Sequence, residues 1–117
     1  MLVPILLFSM QLHPPVTGGD LYSACQAVVR FADDPQSSPS DSEFTKAMQC
    51  LSYVEGFTDG LATSIKPICI GDATIGTMVR LYVQYMQTHP KLMDAPTGIG
   101  INAALQSNYP CPTAIHP

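Results

Sequence analysis

The side chains able to do chemistry in this chain are few. They are three histidines (His13, His89, His116), four cysteines (Cys25, Cys50, Cys69, Cys111) and one close carboxylate pair, Glu55 and Asp59. A catalytic centre needs a nucleophile, a base and a group that orients the base. His89 precedes Pro90 at what reads as a helix C-terminus, where an imidazolium is favoured by the helix dipole. His116 stands one residue from the end of the sequence, and His13 falls in an N-terminal stretch expected to be removed. A thiolate nucleophile requires a free cysteine beside a base, and an even set of cysteines in an oxidising compartment leaves none spare. Cys69, Cys111 and His116 could be gathered around zinc, but no C-x-x-C spacing supports that. Glu55 and Asp59 are four apart on one helical face, whereas glycosidase pairs come from different elements across a cleft. Neither Gly18-Gly19 nor Gly98-Ile99-Gly100 is followed by the Lys-Ser/Thr of a phosphate loop. Tyr53, Tyr82 and Tyr85 fall near helical core stripes and read as packing. These residues predict no enzyme, no metal site and no cofactor.

The cysteines point instead to a scaffold. An even number in a short exported chain predicts a disulfide framework. The chain has 117 residues, 46% of them apolar and none of them Trp, enough for one domain with an aliphatic core supplemented by Tyr, Phe and Met. Its formal charge is −4, and it has no basic cluster. Nucleic acid is therefore excluded as a partner, since phosphate contacts need Lys and Arg. Anionic lipid would offer it nothing either. Residues 2–10, LVPILLFSM, have the length of a signal-peptide apolar region and are too short to span a bilayer, so no stable membrane insertion is expected. No Lys or Arg precedes this run, and no small-x-small cleavage site precedes Gly18. The cysteines nevertheless agree with export, which divides the chain into a leader, 1–17, and a single domain, 18–117. The alternative for the apolar run is a buried N-terminal segment.

Four helices and no strand are expected to position these groups. The first runs from about Asp20, as cap, to Phe31, with Leu21, Cys25, Val28 and Ala32 at helical spacing. A polar loop, 33–42, ends in Ser40-Asp41-Ser42-Glu43, which fits a capping box. The helix it starts places Phe44, Met48, Leu51, Val54, Leu61 and Ile65 on one stripe and ends at Pro67. Gly56 and Gly60 share another face and suggest a close neighbour or a bend. After a connector holding Cys69, Thr74 caps a third helix with Ile75, Met78, Val79, Tyr82 and Met86 inward, ended by His89-Pro90. Residues 91–95 form a second exposed connector. Asp94 caps a short fourth helix with Ile101, Ala104 and Leu105 inward, weakened by Gly98 and Gly100.

Sequence alone permits three pairings of the cysteines, and helix geometry narrows them. If the helices run up, down, up, down, Cys25 and Cys50 sit about 9–12 Å from their shared loop at matching height, from a rise of about 1.5 Å per residue. Cys69 and Cys111 both follow downward helices and so lie at one pole. The expected bridges are Cys25–Cys50 and Cys69–Cys111.

The local contexts of the cysteines carry a family resemblance. Asp20-Leu21 with Cys25 is followed by Cys50-Leu51-Ser52-Tyr53-Val54-Glu55-Gly56, continuing to Asp59-Gly60. Cys69 precedes the Thr74-capped helix, which runs into Tyr85-Met86-Gln87-Thr88-His89-Pro90. The last piece is Ala103-Ala104-Leu105-Gln106-Ser107-Asn108-Tyr109-Pro110-Cys111. From about Gly18 to Cys111 this ordered set resembles the Rap/Tai family of type VI secretion immunity proteins. The resemblance implies a small, helical, disulfide-linked periplasmic protein of a Gram-negative bacterium. It further implies a protein, often homodimeric, that catalyses nothing and occludes the cleft of a cognate peptidoglycan amidase effector with a Cys-His centre.

Tight inhibition needs a preorganised surface, because ordering loops on binding costs affinity. Two staples on a four-helix unit would supply that rigidity. The connectors that could enter a cleft are 91–97, with Lys91, Leu92, Met93, Asp94 and Thr97 as candidate partner contacts, and 33–42. The alternative class is a periplasmic helical binding protein or acid-stress chaperone without a toxin partner, which should expose a large apolar patch on acidification or dimer dissociation.

Overall fold

The computed structural model describes residues 15–61 and 68–112. Four α-helices form in order: α1, Gly18–Asp33; α2, Asp41–Leu61; α3, Ile75–Thr88; and α4, Thr97–Asn108. A 3-10 turn, Pro90–Asp94, joins α3 to α4. There is no strand among the described residues; the fold is all-α and carries two disulfides, Cys25–Cys50 and Cys69–Cys111.

Helix α1 begins two residues before the expected start, because the cap is Thr17 and not Asp20. Thr17 Oγ1 accepts from the Asp20 amide at 3.2 Å, and the Asp20 carboxylate accepts from the amides of Val16 and Thr17 at 3.0 and 3.1 Å. This reciprocal box satisfies amides that the helix cannot satisfy itself. Ala24 and Ala27 join Leu21 and Cys25 in the core, while Ala32 is exposed. The α2 start forms half of the expected box: the Glu43 amide donates to Ser40 Oγ at 3.1 Å. The Glu43 carboxylate instead accepts from Arg30 at 2.6 Å.

The buried face of α2 is Ala47, Cys50 and Val54. The expected stripe through Phe44 and Met48 is therefore misplaced: these two are 57% and 46% exposed. The bridge to Cys25 fixes Cys50 inward, and Ala47 and Val54 share its side of the helix, so the larger pair is turned outward. Gly56 and Gly60 are not points of close approach either, since a Cβ on either would meet nothing within 4 Å. Ile65 and Pro67 lie outside the described residues.

The end-to-end contacts fix the direction of each helix. Cys25–Cys50 and Arg30–Glu43 make α1 and α2 an antiparallel hairpin. Asp33, ending α1, accepts from Arg80 near the start of α3, so α3 also runs against α1. Gly18, starting α1, lies beside Ala95, just before α4. It follows that α2 and α3 run in the same direction, and the up-down-up-down assumption does not hold. Between Leu61 and Thr74 the chain returns to the far end of the molecule. There the Cys69 amide donates to the Tyr109 carbonyl at 2.8 Å and Ile68 bridges Pro110. Cys69 and Cys111 thus do share a pole, but a return crossover brings Cys69 there.

Tyr82 and Met86 of α3, fully buried, pack among Leu21, Cys25, Val54, Ile101 and Leu105. The expected inward face of α3 is present, with Ile75 only half-buried. On α4, Ile101, Ala104 and Leu105 are buried as expected. A Cβ at Gly100 would sit 3.0 Å from Met86 Sδ, so this glycine lets α4 settle onto α3. Asp94 does not cap α4: Pro96 holds the cap position, with no side-chain hydrogen bond. The Thr97 amide donates instead to the Val16 carbonyl at 3.3 Å.

Candidate functional site

One end of the molecule gathers the start of α1, the last turns of α2, the end of α3, the 3-10 turn and the start of α4. Helix α3 is closed by His89, whose ring stacks on Tyr85 at 3.8 Å between centroids and 9° between planes. His89 Nδ1 lies 2.8 Å from the Tyr85 carbonyl and 3.0 Å from Thr88 Oγ1. The histidine is thus engaged in ending a helix, the structural role its position before proline suggests.

Pro90 then turns the chain into the 3-10 segment. Lys91 and Asp94 are exposed, while Leu92 and Met93 are half-buried against the core. The structure brings these four candidate contacts together in one turn. The fifth, Thr97, is withdrawn: it is 5% exposed, and its hydroxyl donates to the Pro15 carbonyl at 2.9 Å. The other candidate loop, 33–42, is exposed throughout and lies at the opposite end of α1. The two loops cannot enter one cleft together.

Residues 15–17 run beside residues 96–97. Thr17 bridges Pro96 in antiparallel sense, and the Gly18 amide donates to the Ala95 carbonyl at 2.8 Å. Asp20 supports this arm from below. The amides of Thr17 and Val16 that donate to its carboxylate hold that carboxyl below the usual Asp range. Tyr82 donates its buried hydroxyl to the Gly18 carbonyl at 3.1 Å. Burial, and secondarily the Tyr53 phenol, push the Tyr82 hydroxyl up, so it remains a donor throughout the neutral range.

Sequence reasoning missed several surface residues here. Val16 and Ile99 are 71% and 53% exposed, and Pro96 is exposed between them along the arm and helix start. At about 100° per residue Ile99 stands about 200° from inward Ile101, a signal that was legible. A groove of about 440 Å³ opens beside it, lined by Phe57, Pro96, Gly98, Ile99, Asn102 and Ala103. It exists because α2 and α4 each pack on α1 while leaving a gap between themselves. Tyr53 stacks on Phe57 at 6.5 Å, and burial raises the Tyr53 phenol. The Asn102 carbonyl oxygen is buried in this region without a hydrogen-bond partner.

Chemistry is sparse across the rest of the described surface. Glu55 and Asp59 are exposed on the outer side of α2. All four cysteines are in disulfides, and no group of three His, Cys, Asp or Glu among the described residues is placed to hold a metal. No described helix is long and apolar enough to cross a membrane.

The arrangement is that of a small all-α domain, stapled at two levels, with a fixed turn presented at one end. Residues 17–111, from the cap of α1 to the last disulfide cysteine, match the Rap1a immunity proteins, and the chain belongs to that family. Membership assigns it an immunity role, which is to bind an effector. Comparison with curated proteins and with solved structures returned no match.

Proposed function

We propose that this protein is a periplasmic immunity protein that binds a cognate type VI secretion peptidoglycan amidase and covers its active site with the turn 89–96. The observation that carries this reading is the construction of that turn. It is a short 3-10 segment with Lys91 and Asp94 outward and Leu92 and Met93 anchored inward. Such an element enters a cleft without first having to be ordered. Two disulfides suit the oxidising compartment in which wall-degrading effectors act. The inhibitor catalyses nothing and needs no cofactor. The contacts of Pro15, Val16 and Thr17 with residues 95–97 would be kept if an export leader ended before Pro15 and lost with a leader of 1–17.

Co-expression in the periplasm with a Cys-His amidase, should a neighbouring gene encode one, tests this directly. Protection of the cells and a stoichiometric complex on gel filtration at neutral pH are expected. Unprotected cells together with no complex would exclude that pair. Sedimentation of the purified chain tests the homodimer that the resemblance implies.

A further inference from the structure

We propose that the segment Pro15–Asp20 is a strap that sets the position of the turn 89–96, with Gly18 and Thr97 as its positioning residues. The strap is joined at successive points to the end of the turn, at Ala95, and to Thr97, the first residue of α4 that follows it. Thr97 Oγ1 donates to the Pro15 carbonyl at 2.9 Å, the Thr97 amide to the Val16 carbonyl at 3.3 Å, and the Gly18 amide to the Ala95 carbonyl at 2.8 Å. The ends of the 3-10 segment are closed by local bonds, from the Leu92 amide to the His89 carbonyl and from the Ala95 amide to the Leu92 carbonyl, at 3.0 and 3.2 Å. A five-residue 3-10 segment is not self-supporting on such bonds. Its placement must come from outside, and the strap lies directly against it.

Gly18 sets the distance between the two. A Cβ there would stand 2.3 Å from the Leu92 carbonyl oxygen and 2.9 Å from Met86 Cε. The methionine tip can move aside, but the Leu92 carbonyl belongs to the turn's backbone and moves only if the turn does. The back of Gly18 is pinned in turn by the buried Tyr82 hydroxyl on its carbonyl. The strap is itself held by Asp20, which accepts from both Val16 and Thr17. Thus the core residue Tyr82 fixes Gly18, Gly18 fixes the turn, and Thr97 closes the far side. The significance for inhibition rests on the turn being the effector-facing element; the strap itself does not.

Amide hydrogen exchange on the full chain tests the strap without any partner, so its failure is distinct from failure of the immunity reading. Thr97→Val removes the hydroxyl bond at nearly constant volume, and Thr97→Ser restores a hydroxyl. Loss of one such bond should speed exchange of the Gly18, Leu92 and Ala95 amides about fivefold in Thr97→Val, given the typical net worth of a hydrogen bond. The Val83 and Met86 amides inside α3 should be unchanged, and Thr97→Ser should return the turn to the wild-type rate. Gly18→Ala should produce the same local pattern at Leu92 and Ala95. Unchanged exchange at Leu92 and Ala95 in Thr97→Val would overturn the proposal. So would equal acceleration in the turn and in α3, or a serine variant no better than valine.

Discussion

Asp20 and Tyr82 hold the same short stretch of chain by different means, and their responses to pH and substitution differ accordingly. The Asp20 carboxylate accepts from two backbone amides, which favours its charged form and depresses its folded-state pKa below 3.8. A depressed carboxyl stabilises the fold fully above its unfolded value, and that contribution is lost as pH falls through the folded value. Wild-type melting temperature should therefore drop more steeply below about pH 4 than that of Asp20→Asn, with other carboxylates contributing equally to both. Parallel acid limbs in thermal titrations would show that the box carries no charge-dependent stability. The Tyr82 bond has no such dependence near neutrality, because burial keeps the phenol protonated. Removing it by Tyr82→Phe should cost about 1 kcal/mol in denaturant unfolding at every pH from about 5 to 9, the usual net value of a hydrogen bond. A variant as stable as wild type would mean that water replaces the phenol at the Gly18 carbonyl.

The helices show where pattern reading is reliable and where it fails. Helix α3 was legible because Met78, Val79, Tyr82 and Met86 follow one helical stripe and all are buried. Helix α2 was legible as a helix but not in its facing. Phe44 and Met48 share a helical stripe with Leu51 and Val54 and so suggested the core, yet the smaller Ala47 and the bridged Cys50 occupy it. A disulfide can override the apolar stripe in this way, since it fixes one residue's direction covalently. The α1 start was placed at Asp20 because Asp can cap a helix, whereas Thr17 is the cap and Gly18 lies inside α1, where the approach of the Leu92 carbonyl requires a glycine. That reason is tertiary and has no local signature. The two bridges also differ in setting: Cys25 and Cys50 are fully buried, while Cys69 is exposed. Graded reduction followed by alkylation and mass mapping should therefore open Cys69–Cys111 first. By the loop-entropy relation, each bridge should be worth about 3–4 kcal/mol when deleted as a pair of alanines. Simultaneous opening of both bridges under mild reductant would contradict the exposure argument.

At the scale of the whole molecule, the helix count and the cysteine pairs could be read from the sequence, but the course of the chain could not. Nothing in the sequence between Leu61 and Thr74 states that α3 starts at the opposite end from where α2 finishes, yet that arrangement leaves α2 parallel to α3, and α2 and α4 stay apart. It also leaves the two candidate loops at opposite ends, so a single cleft can receive only one of them. The end bearing the 3-10 turn presents exposed Lys91 and Asp94 together with exposed Val16, Pro96 and Ile99, a charged tip beside an apolar shoulder. The other end presents a polar loop, with Phe44 exposed in the first turn of α2 beside it. Binding energy concentrates in desolvated anchors with surrounding polar contacts, and the turn end sets three exposed apolar residues, Val16, Pro96 and Ile99, beside its charged tip. Ile99→Asp and the charge exchange Lys91→Glu with Asp94→Lys should each weaken the effector complex at least about tenfold. Because these positions are exposed, unfolding free energy should shift by no more than about 0.5 kcal/mol. Charge reversal at the other end, Asp34→Lys in the loop with Asp41→Lys at the start of α2, should leave affinity within about twofold at the higher salt, where long-range steering is screened. Calorimetry of the three variants at two salt concentrations separates the alternatives. Loss of affinity from the Asp34 and Asp41 variant alone would place the interface at the opposite end of the bundle.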